Sequence, residues 1–264
     1  MTAIAAGVAA RRPRFYFGAS IAMAATAMLG FAPTFWIPMA QGLRENIAII
    51  AMHATLFYAW TFFFMYQTWL VASGNTARHR NVGLIGISLA TTMIIFGTLA
   101  AINSSQRAIA MHQAAAGEAF MIVPMSALFI FAVLLTGALY NISRPEWHKR
   151  LMLCASAMLL DAAIARPFVY FIVMGGHPPP FQGTIGLAGF HMPPPPVAGL
   201  LPPALAALLF VVAGMVHDWR SNGKVHPAYW WGGGFALAVQ ILKVPFSNSE
   251  LWHGIARGLT SLAG

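Results

Sequence analysis

Charge is what this chain has least of. Only 8% of its 264 residues are Asp, Glu, Lys or Arg, and just 6 are acidic. Soluble domains carry about 25% charged residues, and a water-facing surface cannot be built from so few. Cysteine is nearly absent as well. Cys154 stands alone in an apolar run, which excludes an intrachain disulfide, a CxxC redox motif and Cys/His zinc patterns. There is no HExxH helix, no phosphate-binding glycine loop and no nucleophile–base constellation, so hydrolytic chemistry is not expected. The 15 basic residues give a net charge of +9, yet no basic run is interleaved with exposed aromatics. Nucleic acid is therefore not expected as a partner.

What is present is apolar: 59% of the residues are hydrophobic. A helix needs about 20 mostly apolar residues to cross the hydrocarbon core. Seven such runs can be marked, at Phe15–Met39, Asn46–Val71, Val82–Ile102, Glu118–Tyr140, Arg150–Met174, Leu200–Val216 and Pro227–Phe246. The expected fold is all-α: a single polytopic transmembrane bundle of about seven helices, with the lipid bilayer as its solvent. The run after Arg11, Arg12 and Arg14 is too long for a signal peptide and reads as the first span. Basic residues alternate between the loops. One side receives residues 1–14 with their arginines, then Arg78 and Arg80, then Arg144, Lys149 and Arg150, then Arg220 and Lys224. The other receives mainly Arg44, Arg107 and Arg257. By the positive-inside rule the N-terminus is inside and the C-terminus outside, as in a multi-pass protein of a bacterial inner membrane. Trp36, Trp69, Trp147, Trp219, Trp230 and Trp231 fall near span ends, as an aromatic belt requires.

Three stretches lie outside the spans. Residues 175–199 form an uncharged, proline-rich outer loop with His177 and the run Pro193–Pro196, either a linker or a semi-rigid lid. Residues 109–117 suggest a short interfacial helix carrying His112. Residues 247–264 read as a short amphipathic tail.

Ionisable groups within spans are costly and usually face the bundle interior. Glu118, Asp161, Arg166, Lys243 and His53 all fall in the outer half. Glu118 and Asp161 balance Arg166 and Lys243, as ion pairs fixing helix register or as a proton or ion path. Asp161 and Arg166, five residues apart, sit about 140° apart around one helix, so each is expected to pair with another helix; Lys243 is a candidate for Asp161. His53, Trp60 and Gln67 recur at intervals of seven on one face of a very aromatic helix, which could wall a haem or a quinone. His53 could serve as an axial or metal ligand, or be a hydrogen-bonded structural histidine. No second histidine lies at matching depth. On the inner side three spans are entered through a histidine: His79-Arg80, His148-Lys149-Arg150 and His226-Pro227, with His217 closing the sixth. Such a ring could hold a metal. Its basic neighbours and helix N-termini suit an anionic or quinone oxygen better, and interfacial residues obeying the positive-inside rule explain it equally well. The 15 methionines sit singly in apolar spans as ordinary filling.

The chain resembles a widespread group of uncharacterised bacterial multi-pass membrane proteins. The likeness rests on Gly30-Phe31-Ala32-Pro33-Thr34, His53…Trp60…Gln67 and His79-Arg80-x-x-Gly83. It rests further on Arg144-Pro145-Glu146-Trp147-His148-Lys149-Arg150-Leu151-Met152, running on to Ala163-Ile164-Ala165-Arg166, and on His226-Pro227. Members of the group often carry two histidines near the start of the second span; Ala51 stands where the first would be. The resemblance implies the topology and the choice of residues and supplies no reaction. The function expected is redox-linked, with haem, metal or quinone bound and electrons or protons transferred. A proton-coupled transporter using Glu118, Asp161, Arg166 and Lys243 is one alternative. A non-catalytic subunit, in a larger membrane complex or a homo-oligomer, is the other, because alanines 155, 157, 162, 163 and 165 allow close helix approach.

Overall fold

Backbone groups withdrawn from water must be satisfied within their own segment, and runs rich in Ala, Leu, Ile and Met achieve this as helices. The computed structural model describes residues 14–42, 48–173 and 194–262. Every element among them is helical. Helix α1 (Arg14–Gly30) leads through a π-helical turn (Ala32–Trp36) into α2 (Ile37–Ala40). Then follow α3 (Ala48–Ala72), α4 (Thr76–Ala110), α5 (Ala114–Tyr140), α6 (Pro145–Met158) and α7 (Asp161–Pro167), which runs into a second π-helical segment (Phe168–Val173). A 3-10 turn (Val197–Leu200) opens α8 (Leu201–Ala207), followed by α9 (Leu209–Asn222), α10 (Pro227–Phe246) and α11 (Glu250–Ser261).

Five stretches are long and apolar enough to cross a membrane: α3, α4, α5, Pro145–Ile172 and Val197–Asn222. A sixth is counted if α1 and Ala32–Ala40, bent by 42°, are one span. The bend follows Gly30 and contains Pro33, whose missing N–H and ring disrupt the helical ladder. The remaining expected span, Pro227–Phe246, is a helix of 20 residues. Its apolar character is diluted by Trp230, Trp231, three consecutive glycines, Gln240 and Lys243, and it falls below the five.

Two expectations are corrected. The span marked as Val82–Ile102 is the middle of a 35-residue helix, α4. The separate interfacial helix at residues 109–117 does not form: α4 continues to Ala110, and the chain turns at Met111–His112 before α5 starts at Ala114. His112 makes that turn with φ of 59°, a left-handed conformation that histidine tolerates better than β-branched residues do. Arg11, Arg12, Arg44, His177 and most of the proline-rich loop lie outside the described residues.

Helix α6 is the hub. It packs against α1, α5, α8, α9 and α10, and every residue from Leu153 to Met158 is buried. Ala155, Ala157 and, on α7, Ala163 are wholly covered within the single chain, so these small side chains serve internal packing. Helix α1 crosses α7 closely at Gly30. A side chain on Gly30 would run into the Ala163 carbonyl, so only glycine fits. Helix α11 lies along α4 and α5 with Trp252, Ala256 and Thr260 facing in.

Candidate functional site

The start of α3, the end of α4, the start of α5 and the end of α7 converge at one end of the bundle around a cavity of about 490 Å³. Ligand pockets typically span about 300–1,000 Å³. Helical spacing on α3 lines up His53, Phe57, Trp60 and Phe64 along the wall, and Phe31, Tyr58, Phe120 and Tyr170 complete an aromatic lining. Trp60 is fixed by donation from Nε1 to Ser156 Oγ at 3.3 Å and by an edge contact with Phe131. The His53 ring lies 4.2 Å from Phe57, and its Nδ1 is buried with no hydrogen-bond partner. Polar groups on the wall include Ser104, Ser105, Arg107, Asp161 and Arg166.

Arg166 was expected to offset a carboxylate on another helix, and among the described residues it makes no ion pair. It donates from Nη1 to the Ala162 carbonyl at 2.6 Å, and its guanidinium carbon stands 4.1 Å over the Phe31 ring. A guanidinium has five N–H donors, and among the described residues only Nη1 of this one has a hydrogen-bond partner. Asp161 does meet Lys243, at 3.4 Å through Oδ2, and the same oxygen accepts from Gln240 Nε2 at 3.4 Å. All three residues are buried. The second carboxylate oxygen, Oδ1, has no hydrogen-bond partner. Glu118 is not brought to this pair. It accepts from His253 Nδ1 at 2.7 Å and from Arg257 Nη1 at 3.3 Å, both on α11. Its backbone carbonyl accepts from Trp252 Nε1 at 2.8 Å.

The opposite end of the bundle holds a second network. Arg150 is buried and donates two bonds of 2.7 Å to the two oxygens of Asp218 on α9. It also bonds Glu146, one turn back on α6. Asp218 Oδ2 accepts from the His226 backbone N–H at 3.2 Å. The His226 side chain then caps α10, its Nδ1 accepting from Ala228 N–H at 3.1 Å. Burial, and next the Arg150 charge, hold the His226 imidazolium below the ordinary histidine pKa. Tyr229 and Tyr16 meet hydroxyl to hydroxyl at 3.2 Å beside this pair.

The expected histidine ring splits. His79 and His148 face each other with ring centroids 6.3 Å apart. His148 Nδ1 bonds the Ala138 carbonyl at 2.9 Å. Gln67, with its amide nitrogen turned toward His79, bonds the His79 ring and carbonyl and accepts from Gly83 N–H. His226 packs edge-on to Trp147, and His217 stacks on Phe15 at 4.1 Å. Arg80 is exposed. Among the described residues no three His, Cys, Asp or Glu side chains gather as a metal would require.

Asp218, Gln240, Tyr16 and Tyr229 escaped sequence reasoning. Asp218 had a signal: it is one of 6 acidic residues and lies on the side otherwise crowded with Arg and Lys. Gln240 had a weaker one, a polar residue one turn before Lys243. Comparisons with protein-family models, with curated proteins and with solved structures found no match.

Proposed function

We propose that this chain is a seven-span protein of a bacterial inner membrane, N-terminus inside and C-terminus outside, that binds a quinone-type redox carrier in the aromatic cavity. The observation that carries the reading is the pairing of that cavity's apolar, ring-lined wall with two kinds of polar group. Arg166 keeps donors free, and His53 keeps an unpartnered nitrogen. A quinone is a flat apolar ring with oxygens at its poles, and those oxygens match a guanidinium and an imidazole N–H. Its chemistry, when bound, is the uptake or release of two electrons and two protons. A bis-histidine haem fits less well, since His53 is the only histidine on the wall among the described residues. A three-ligand metal centre has no matching cluster there.

The chain's own part is to orient the ring between aromatic faces, keep water out and polarise one oxygen from Arg166. The test is a visible absorption spectrum, metal analysis and organic extraction of protein purified in mild detergent, before and after incubation with decylbenzoquinone. The expected result is no haem band, substoichiometric metal and about one quinone retained per chain. A haem spectrum, or a preparation that retains no quinone, overturns the reading.

A proton-coupled carrier is the second reading, favoured by the buried Asp161–Lys243 pair alone. It predicts proton-linked flux in proteoliposomes that is lost when Asp161 is neutralised. Of the alanines behind the subunit reading, 155, 157 and 163 are covered within the chain, while Ala162 on α7 is exposed.

A further inference from the structure

Asp161 is the only acidic residue on the cavity wall among the described residues. One side of its carboxylate is committed: Oδ2 receives Lys243 and Gln240 from α10, and neither of those residues lines the cavity. The other oxygen, Oδ1, is buried without a partner on a residue only 2% exposed. A buried acceptor left unsatisfied costs free energy, and a ligand donor that reaches it recovers that cost. A carboxylate oxygen accepts hydrogen bonds and has none to donate.

We infer that Asp161 Oδ1 accepts a hydroxyl of the bound carrier, so that the site selects the reduced, hydroquinone form over the quinone. This rests on the quinone reading above. The chemistry is directional. A quinone oxygen has lone pairs only, and set against a carboxylate it is repelled. A hydroquinone presents an O–H there and keeps an oxygen lone pair for Arg166 at the opposite pole. A hydrogen bond to a charged group contributes about 1.5–3 kcal/mol, which corresponds to a preference of roughly ten- to a hundredfold. No electron transfer is needed for this selection. The carboxylate acts as a binding and specificity-determining group.

The test compares decylbenzoquinone with decylbenzohydroquinone, under anaerobic conditions, as each partitions between protein-loaded and empty nanodiscs. Wild-type protein is expected to hold the hydroquinone at least tenfold more tightly. Asp161→Leu combined with Lys243→Met removes both charges together and leaves no orphaned ion. In that variant the preference is expected to fall to within about twofold, with quinone affinity unchanged or improved. Equal binding of both forms by the wild type overturns the inference and leaves the quinone reading standing. Binding of neither form overturns both. A preference that survives in the double variant removes Asp161 from the site, and should that variant fail to fold, the wild-type ratio alone still decides.

Discussion

Replacing Asp218 by alanine removes the acceptor of two guanidinium bonds and one backbone bond at a single point. Arg150 would keep only Glu146, whose side chain is 57% exposed. Arg150 itself is 2% exposed and cannot turn to water without unpacking α6 from α9. Breaking one half of a buried pair typically costs 3–5 kcal/mol, about as much as orphaning the surviving charge. For a chain of this size each kcal/mol moves a melting midpoint by about 2–4 °C. The expected loss for Asp218→Ala is therefore roughly 6–20 °C, read by thermal or SDS-titration unfolding in detergent. The double variant Arg150→Met with Asp218→Leu removes both charges and keeps apolar volume. It should recover most of the loss, because the pair's attraction largely offsets its own desolvation. Two results refute the reasoning: a single variant within about 1 kcal/mol of wild type, or a double variant as unstable as the sum of its singles.

Gly30→Ala should separate α1 from α7 and cost about 1–3 kcal/mol as an overpacked contact. Lowered thermal stability together with faster cross-linking access at Ala163→Cys would report it. Trp252→Ala should cost about 3–5 kcal/mol locally, seen as accelerated hydrogen exchange across Glu250–Ser261 with α6 unaffected. His226 provides a pH dependence. Its folded pKa lies below the ordinary 6.5 because burial and the Arg150 charge disfavour the imidazolium, and its neutral Nδ1 holds the helix cap. Its contribution is complete above pH 6.5 and declines as pH falls through the folded value. Protonation then removes a cap of about 1 kcal/mol. His226→Asn keeps an acceptor at the cap and should abolish that part of the acid-side slope, as measured by unfolding between pH 7 and 4.

The helices were legible because apolar run length is a one-dimensional property. The runs at Asn46–Val71 and Glu118–Tyr140 match α3 and α5 within a few residues. Helix α4 was underestimated because its ends, rich in Arg, Asn, Ser and Gln, remain helical beyond the apolar stretch. The Asp161–Lys243 pairing was readable from depth and sign together. Arg150–Asp218 was not, because Arg150 could be explained as a positive-inside residue and that sufficed. The cavity itself is a volume between helices. Spacing placed His53 and Trp60 on one face, but only the packing of α4, α5 and α7 against that face turns it into a wall. The bend at Ala32–Trp36 contains Pro33, yet proline alone does not say which way a helix bends.

The buried ion pairs also set an order of events during synthesis. Arg150 and Asp161 belong to the stretch Pro145–Ile172, while their partners Asp218 and Lys243 sit on α9 and α10. Arg150 has Glu146 beside it from the start, whereas Asp161 is made before Lys243, the residue that neutralises it, exists. An isolated Arg or Asp at mid-helix raises insertion cost by about 2.5–3.5 kcal/mol. The stretch Pro145–Ile172 is thus inserted with an uncompensated carboxylate and is completed only by helices made later. Chains cut short before α9 and α10 should leave Pro145–Ile172 poorly inserted and marked for degradation, even though α3, α4 and α5 are already in place.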